Sequence, residues 1–253
     1  MDKFFKKVYH TNNSSSVYFL SVISGYPMGA KLICNMYELG RINKTDAKRM
    51  LSFCSVSGPM FIVGTVGVGF LFSFKAGLII LISNIIASLI NGLIYRGKDN
   101  ENVEFEFNEK TADNLLYDSV YDALISILMV GGFIVISFLI IDVLNNLHIT
   151  SAISSAVCRV FNLQKSQYVV SSVLEGFIEI TRGILDLGKT NASLTIKTII
   201  ASGLIGFGGI SIMMQSTSFL KRLNISIKTI ILQKITQAIL CVLITTPFAI
   251  IFI

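Results

Sequence analysis

Two charge-free apolar runs constrain this chain most: Ala76 to Tyr95 (AGLIILISNIIASLINGLIY) and Ala123 to Ile141. Each is about as long as the 20 or so residues a helix needs to cross the hydrocarbon of a bilayer. Backbone N–H and C=O groups in lipid must bond within the chain, and a helix bonds them along its own length. Hydrophobic residues make up 53% of the 253 and charged residues only 14%, with a mean hydropathy of +0.71. That balance excludes an ordinary soluble domain and predicts an all-α polytopic membrane protein.

The N-terminus, MDKFFKKVYHTNNSSS, has lysines but neither an apolar core nor a small-residue cleavage site behind them. It reads as a retained basic tail, residues 1–16, rather than a signal peptide. Cys34, Cys54, Cys158 and Cys241 lack CxxC spacing and lie in apolar segments, so they read as buried small residues. His10 and His148 stand alone in polar flanks and read as solvated. With no HExxH, GxSxG or P-loop and no clustered His or Cys, the expectation is no enzyme, no metal and no cofactor.

Laid on itself at a shift of about 150 residues, the sequence repeats. Ser24-Gly25-Tyr26 falls on Glu175-Gly176-Phe177, and each is followed by a cation, Lys31 or Arg182. A polar bend follows (Gly40 to Lys44, Gly188 to Asn191), then an arm with a small-residue break, SVSGPMF at Ser55 to Phe61 over GFGGIS at Gly206 to Ser211. The closing helices Ala76 to Tyr95 and Ile227 to Pro247 also align. The expected fold is therefore two repeats, each with a helical hairpin, a broken helix and a closing transmembrane helix. Their bounds are 17–96 and 148–253, with a polar acidic loop at 97–119 and a linking transmembrane helix at 120–147.

Parity sets their relative direction. If Val17 to Leu39 is a re-entrant hairpin, three crossings separate the equivalent points (Leu51 to Phe72, Ala76 to Tyr95, Val120 to Leu144) and the second repeat is inverted; a plain span there makes the copies parallel. On the inverted reading most lysines and arginines, including Lys3, Lys6, Lys7, Arg41, Lys44, Lys48, Arg49, Lys221, Arg222 and Lys228, share one face. That face is then cytoplasmic, and topology rather than nucleic acid explains the net charge of +6. The acidic loop reads as a solvated linker.

SGYPMGAKL is a poor start for an apolar helix. Pro27 removes a donor, and Gly25 and Gly29 permit a turn and a close approach. Broken helices survive at membrane depth where they are packed in protein or line a wet cavity. A half-helix starting near Met28 turns free N–H groups and its positive end inward, and Lys31 adds a full charge, so the stretch reads as an anion site. The second hairpin offers Thr181, Arg182, Glu175 and Glu179; the two glutamates share one helix face, to bind a coupling cation or proton or to pair with Lys31 or Arg182. The breaks Ser57-Gly58-Pro59 and Gly206 to Ser211, with Gly208 and Gly209, supply unwound carbonyls and hydroxyls. Matching interruptions in two inverted halves point to a substrate site at the membrane midplane. Blander roles stand beside these: Gly25-x-x-x-Gly29 as a packing motif, Lys31 snorkelling, Ser211 and Gln215 as interhelical hydrogen bonds, and Lys234 snorkelling or pairing rather than touching substrate.

SGYPMGAKL, GRINKTDAKRMLSFCSVSGPMFIVGTVGVGF, EGFIEITRGI and SGLIGFGGISIMMQ resemble the sporulation integral membrane proteins of the YlbJ type, from about Val17 to the C-terminus. These belong to the nucleoside-recognition or Gate-domain group, whose fold is similar to that of concentrative nucleoside transporters. The resemblance implies a role in endospore formation, in a membrane around the forespore, moving dipicolinic acid, a planar dicarboxylate on which Tyr26 or Phe177 would stack. Family members usually carry further N-terminal helices, so the expectation is a truncated or short form, or one completed by a homo-oligomer or a partner membrane subunit. Three readings follow: a transporter of a small anionic solute, an ion-coupled transporter of a nucleoside or other small solute, and a non-transporting component of the spore envelope.

Overall fold

The computed structural model describes residues 2–11, 13–97, 115–162 and 166–253. Most of the expected acidic loop, residues 98–114, lies outside the described residues. The described elements are helical throughout: α1 (Asp2–Tyr9), α2 (Ser14–Ser24), α3 (Met28–Glu38), α4 (Lys44–Cys54), a π-wound helix π1 (Met60–Phe70), α5 (Phe74–Ile94), α6 (Leu115–Asn146), α7 (Ile149–Val160), α8 (Gln167–Ile178), α9 (Ile180–Lys189), α10 (Leu194–Phe207), α11 (Gly209–Leu220) and α12 (Ile227–Phe252). Four stretches are long and apolar enough to cross a membrane: 74–94, 119–146, 194–220 and 227–252. The expected all-helical polytopic class is borne out.

Local chemistry places the joints. The Asn43 side chain accepts from Asp46 N at 2.6 Å to start α4, and Ser193 accepts from Ile196 N at 3.4 Å to start α10. Pro27, Pro59 and Gly208 sit where the helices stop and restart; Gly208 has φ +86°, in the left-handed region that glycine enters without strain.

The same order of elements occurs twice: helix, break, helix, capped bend, helix, break, helix, closing helix, from α2 to α5 and again from α8 to α12. Contacts between the halves come in reciprocal pairs. Helix α11 packs on α3 as π1 packs on α9; α12 packs on α4 as α10 packs on α5; and α5 meets α12. Exchange of this kind is what a pseudo-two-fold relation produces.

Two apolar clusters hold the bundle. One gathers Ile33, Met50, Phe53 and Tyr9 with Leu220 and Ile230; the other gathers Ile62, Val66 and Ile80 with Ile184, Leu187 and Ile205, so each joins the two halves. In lipid, polar side chains crossing between helices add to packing. Buried Asn91 donates to Ser52 O at 2.7 Å and Gln233 O at 3.1 Å and accepts from Thr236 Oγ1 at 2.7 Å, tying α4, α5 and α12 together. Helix α6 differs: Leu124, Leu128, Val135, Leu139 and Val143 are exposed, as suits a face against lipid.

Candidate functional site

The four breaks meet. Gly25, at φ +74° and ψ −166°, adopts a conformation essentially reserved for glycine, and a Cβ there would lie 2.6 Å from Gly58 N. The first hairpin's turn thus rests on the break between α4 and π1. In the other half, a Cβ on Gly209 would lie 3.2 Å from Gly176 O and 3.3 Å from Ile178 O. Tyr26 joins the halves: its hydroxyl reaches Ile205 O of α10 at 3.5 Å and accepts from Lys234 Nζ of α12 at 2.8 Å.

A cavity of about 290 Å³ opens at this meeting point, at the small end of the roughly 300–1,000 Å³ usual for ligand pockets. Ser24, Gly25 and Tyr26 line it from the first hairpin, Ser57 and Gly58 from the first break, Glu179 and Thr181 from the second hairpin, and Gln215 from α11. Val130 and Ile134 of α6 close one side. A second cavity, about 250 Å³, shares Ser24, Tyr26 and Val130 and extends to Pro27, Lys31 and Ser126.

The helix starts facing this region differ. The Glu179 carboxylate accepts from Arg182 N at 2.9 Å and from Thr181 Oγ1 at 3.1 Å, so the positive end of α9 already holds an anion, the chain's own. Helix α3 has no side-chain cap.

The two matching cations reach outward to α6. Lys31 donates to Ser126 Oγ at 2.9 Å and Asp122 O at 3.1 Å and lies 3.5 Å from Asp122 Oδ2. Arg182 pairs with Asp186 at 2.9 Å, Asp142 at 3.4 Å and Glu175 at 3.9 Å, and stacks 5.6 Å from the Phe138 ring centroid. Glu175 also accepts from Asn145 Nδ2 at 2.9 Å. At 1.5 Å per residue, Asp122 and Asp142 are about 30 Å apart along α6, the thickness of a hydrocarbon core. Val130 and Ile134, which line the cavity, fall between them.

The remaining expected site residues pack rather than line the main cavity. A Cβ on Gly29 would meet Cys54 O, so Gly29 is a close crossing of α3 with the end of α4. Pro59 caps π1, and Gly208 and Gly209 form the second break. Ser211 accepts from Gln215 Nε2 at 3.3 Å within α11, whereas the glue expected of that pair was interhelical. Phe177 packs edge-on against Phe207 at 5.0 Å and lines a separate apolar groove with Leu204 and Val242.

Lys234 is more central than sequence reasoning made it. Its side chain is buried and pairs, but with neutral groups at the heart of the breaks: Ser55 O at 2.6 Å, Tyr26 Oη at 2.8 Å and Gln237 Oε1 at 3.3 Å, with the Tyr26 ring centroid 4.5 Å away. Ser55 follows the last turn of α4, where carbonyls have lost their helical donors and the dipole is negative. These acceptors and the ring offset part of the several kcal/mol that burying a cation costs. The signal was present: Gln233, Lys234, Gln237, Cys241 and Thr245 form one buried stripe on α12 at helical spacing.

A comparison with curated proteins finds the sporulation integral membrane protein YlbJ of Bacillus subtilis (strain 168), 27% identical over 244 residues. The chain is similar to a YlbJ-type protein. The match covers 87% of this chain and 60% of the relative, so the chain spans less than two thirds of that protein's length. The YlbJ-type resemblance of the motifs is borne out over most of the chain. No family model matches, and no solved structure matches significantly.

Proposed function

We propose that the chain is a transport protein of endospore formation that carries a small organic anion, dipicolinate by its YlbJ-type resemblance, across a membrane around the forespore. The observation that carries this is the meeting of four chain breaks, two from each half, around a 290 Å³ cavity lined from both halves. Secondary transporters build midplane sites from such paired interruptions. The inverted, Gate-like arrangement has support in α6: Lys31 and Arg182, at matching places in the two hairpins, pair with its opposite ends, and the cavity lies between. Hairpins entering from opposite faces and meeting at mid-depth have this geometry, and rocking of one half on the other then gives alternating access.

The ion-coupled reading has one observation of its own. The cavity's charged lining residue is Glu179, and Lys31 and Arg182 already have carboxylate partners on α6. A neutral solute moving with a cation would suit that wall.

The test is uptake of radiolabelled dipicolinate into proteoliposomes of the purified chain, competed by unlabelled dipicolinate or uridine. Saturable uptake blocked by dipicolinate alone is the expected result. Block by uridine favours the ion-coupled nucleoside reading. No uptake by folded protein refutes autonomous transport and leaves the envelope component, or a bundle that needs a partner subunit.

A further inference from the structure

We infer that Lys234 receives the negative charge of the transported solute, with the Tyr26 hydroxyl holding its place while the site is empty; this rests on the transport reading above. Three observations converge. First, the other cations of the site have carboxylates: Lys31 has Asp122, and Arg182 has Asp142, Glu175 and Asp186. Among the described residues no carboxylate lies within ion-pairing distance of Lys234, although its side chain is buried. Second, the neighbouring Gln237 is 1% exposed; its Oε1 takes a hydrogen bond from Lys234, and its buried Nε2 has no acceptor. An ammonium short of negative charge and an orphaned amide donor, one turn apart on α12, together fit the two oxygens of a carboxylate.

Third, the Tyr26 side chain stands between Lys234 and the cavities. Tyr26 lines both the 290 Å³ and the 250 Å³ cavity, and its hydroxyl is one of the three acceptors on the ammonium. Turning the Tyr26 side chain opens Lys234 to the solute, whose carboxylate takes over the vacated acceptor position. Ser55 O and Gln237 Oε1 keep their bonds, so the exchange substitutes a charged acceptor for a neutral one without stripping the ammonium.

A purely structural Lys234, capping the end of α4 through Ser55 O, would matter equally for charged and neutral solutes. Equilibrium binding to the purified full chain in detergent separates the two roles, with labelled dipicolinate and its neutral analogue pyridine-2,6-dicarboxamide as probes. Lys234→Gln is expected to weaken dipicolinate roughly 10–100-fold, the worth of one hydrogen bond to a charged group, while dicarboxamide affinity stays within about threefold. Tyr26→Phe removes the competing acceptor, keeps the ring and is expected to tighten dipicolinate several-fold. Equal loss of both probes in Lys234→Gln, unchanged dipicolinate affinity, or no dipicolinate binding by the unaltered chain overturns the inference. If Lys234→Gln does not fold, Tyr26→Phe decides alone: unchanged or weakened dipicolinate binding overturns it. Binding without proteoliposome uptake overturns the transport reading only, and uptake with Lys234-independent binding overturns this inference only.

Discussion

Gly25→Ala tests whether the breaks meet as described. The position has φ +74° and ψ −166°, where a side chain costs about 1–3 kcal/mol in backbone strain. The added methyl would also lie 2.6 Å from Gly58 N and 3.1 Å from Gly58 Cα, backbone that cannot swing aside, and overpacking of this kind costs about 1–3 kcal/mol more. Together these give about 2–6 kcal/mol. At about 2–4 °C per kcal/mol for a chain of this size, the melting temperature should fall by roughly 5–20 °C. Thermal unfolding in detergent followed by far-ultraviolet circular dichroism reads this directly. Gly131→Ala on α6 is the control, since a Cβ there meets nothing within 4 Å, and it should melt within a few degrees of the unaltered chain. A Gly25→Ala protein that melts with the control would refute the contact between the first hairpin and the first break.

Asn91→Ala removes three hydrogen bonds, two of them buried, among α4, α5 and α12; at about 0.6 kcal/mol per polar side-chain contact in a membrane protein, plus a small cavity, it should destabilise by about 2–3 kcal/mol in the same melt, and an unchanged melt contradicts the network. Glu179→Ala strips the cap of α9 and should lower stability by about 1 kcal/mol; if Glu179 instead serves a coupling cation, the variant also loses the cation dependence of uptake. Lys31→Asp should impair uptake by setting two carboxylates together on α3 and α6, and the exchange Lys31→Asp with Asp122→Lys should restore it, whereas failure of the exchange would mean that Lys31 acts on something other than α6.

Three of the four breaks were legible because proline and glycine state backbone requirements locally: Gly25 with Pro27, Pro59 and Gly208 stand where the helices stop, whereas the break at Glu179 carries neither residue. The spans were legible because lipid tolerates few charges, and the uncharged run Ala123 to Ile141 is bounded by Asp122 and Asp142, the residues that pair with Lys31 and Arg182. Those pairings were not legible, because nothing local couples Lys31 to a residue 91 positions away. Hence the two cations read as solute ligands, and the Glu179 cap, which supplies α9 with its own anion, read as an ion site or an ion-pair partner. Lys234 read as snorkelling or pairing, away from the solute, for the opposite reason. A lysine within an apolar helix is commonly drawn toward the interface, and only the packing of α12 on the end of α4 reveals that this one is enclosed by carbonyl, hydroxyl and ring.

In the proposed transporter the two hairpins enter from opposite faces and meet at mid-depth. Single cysteines at exposed positions beyond each hairpin, Arg41→Cys and Asn191→Cys, test this topology once the four buried native cysteines are replaced by alanine. A membrane-impermeant maleimide applied to right-side-out and inside-out vesicles should label the two positions from opposite faces, with Arg41→Cys on the cytoplasmic one. Labelling of both from the same face would contradict the inverted hairpins and, with them, the midplane site.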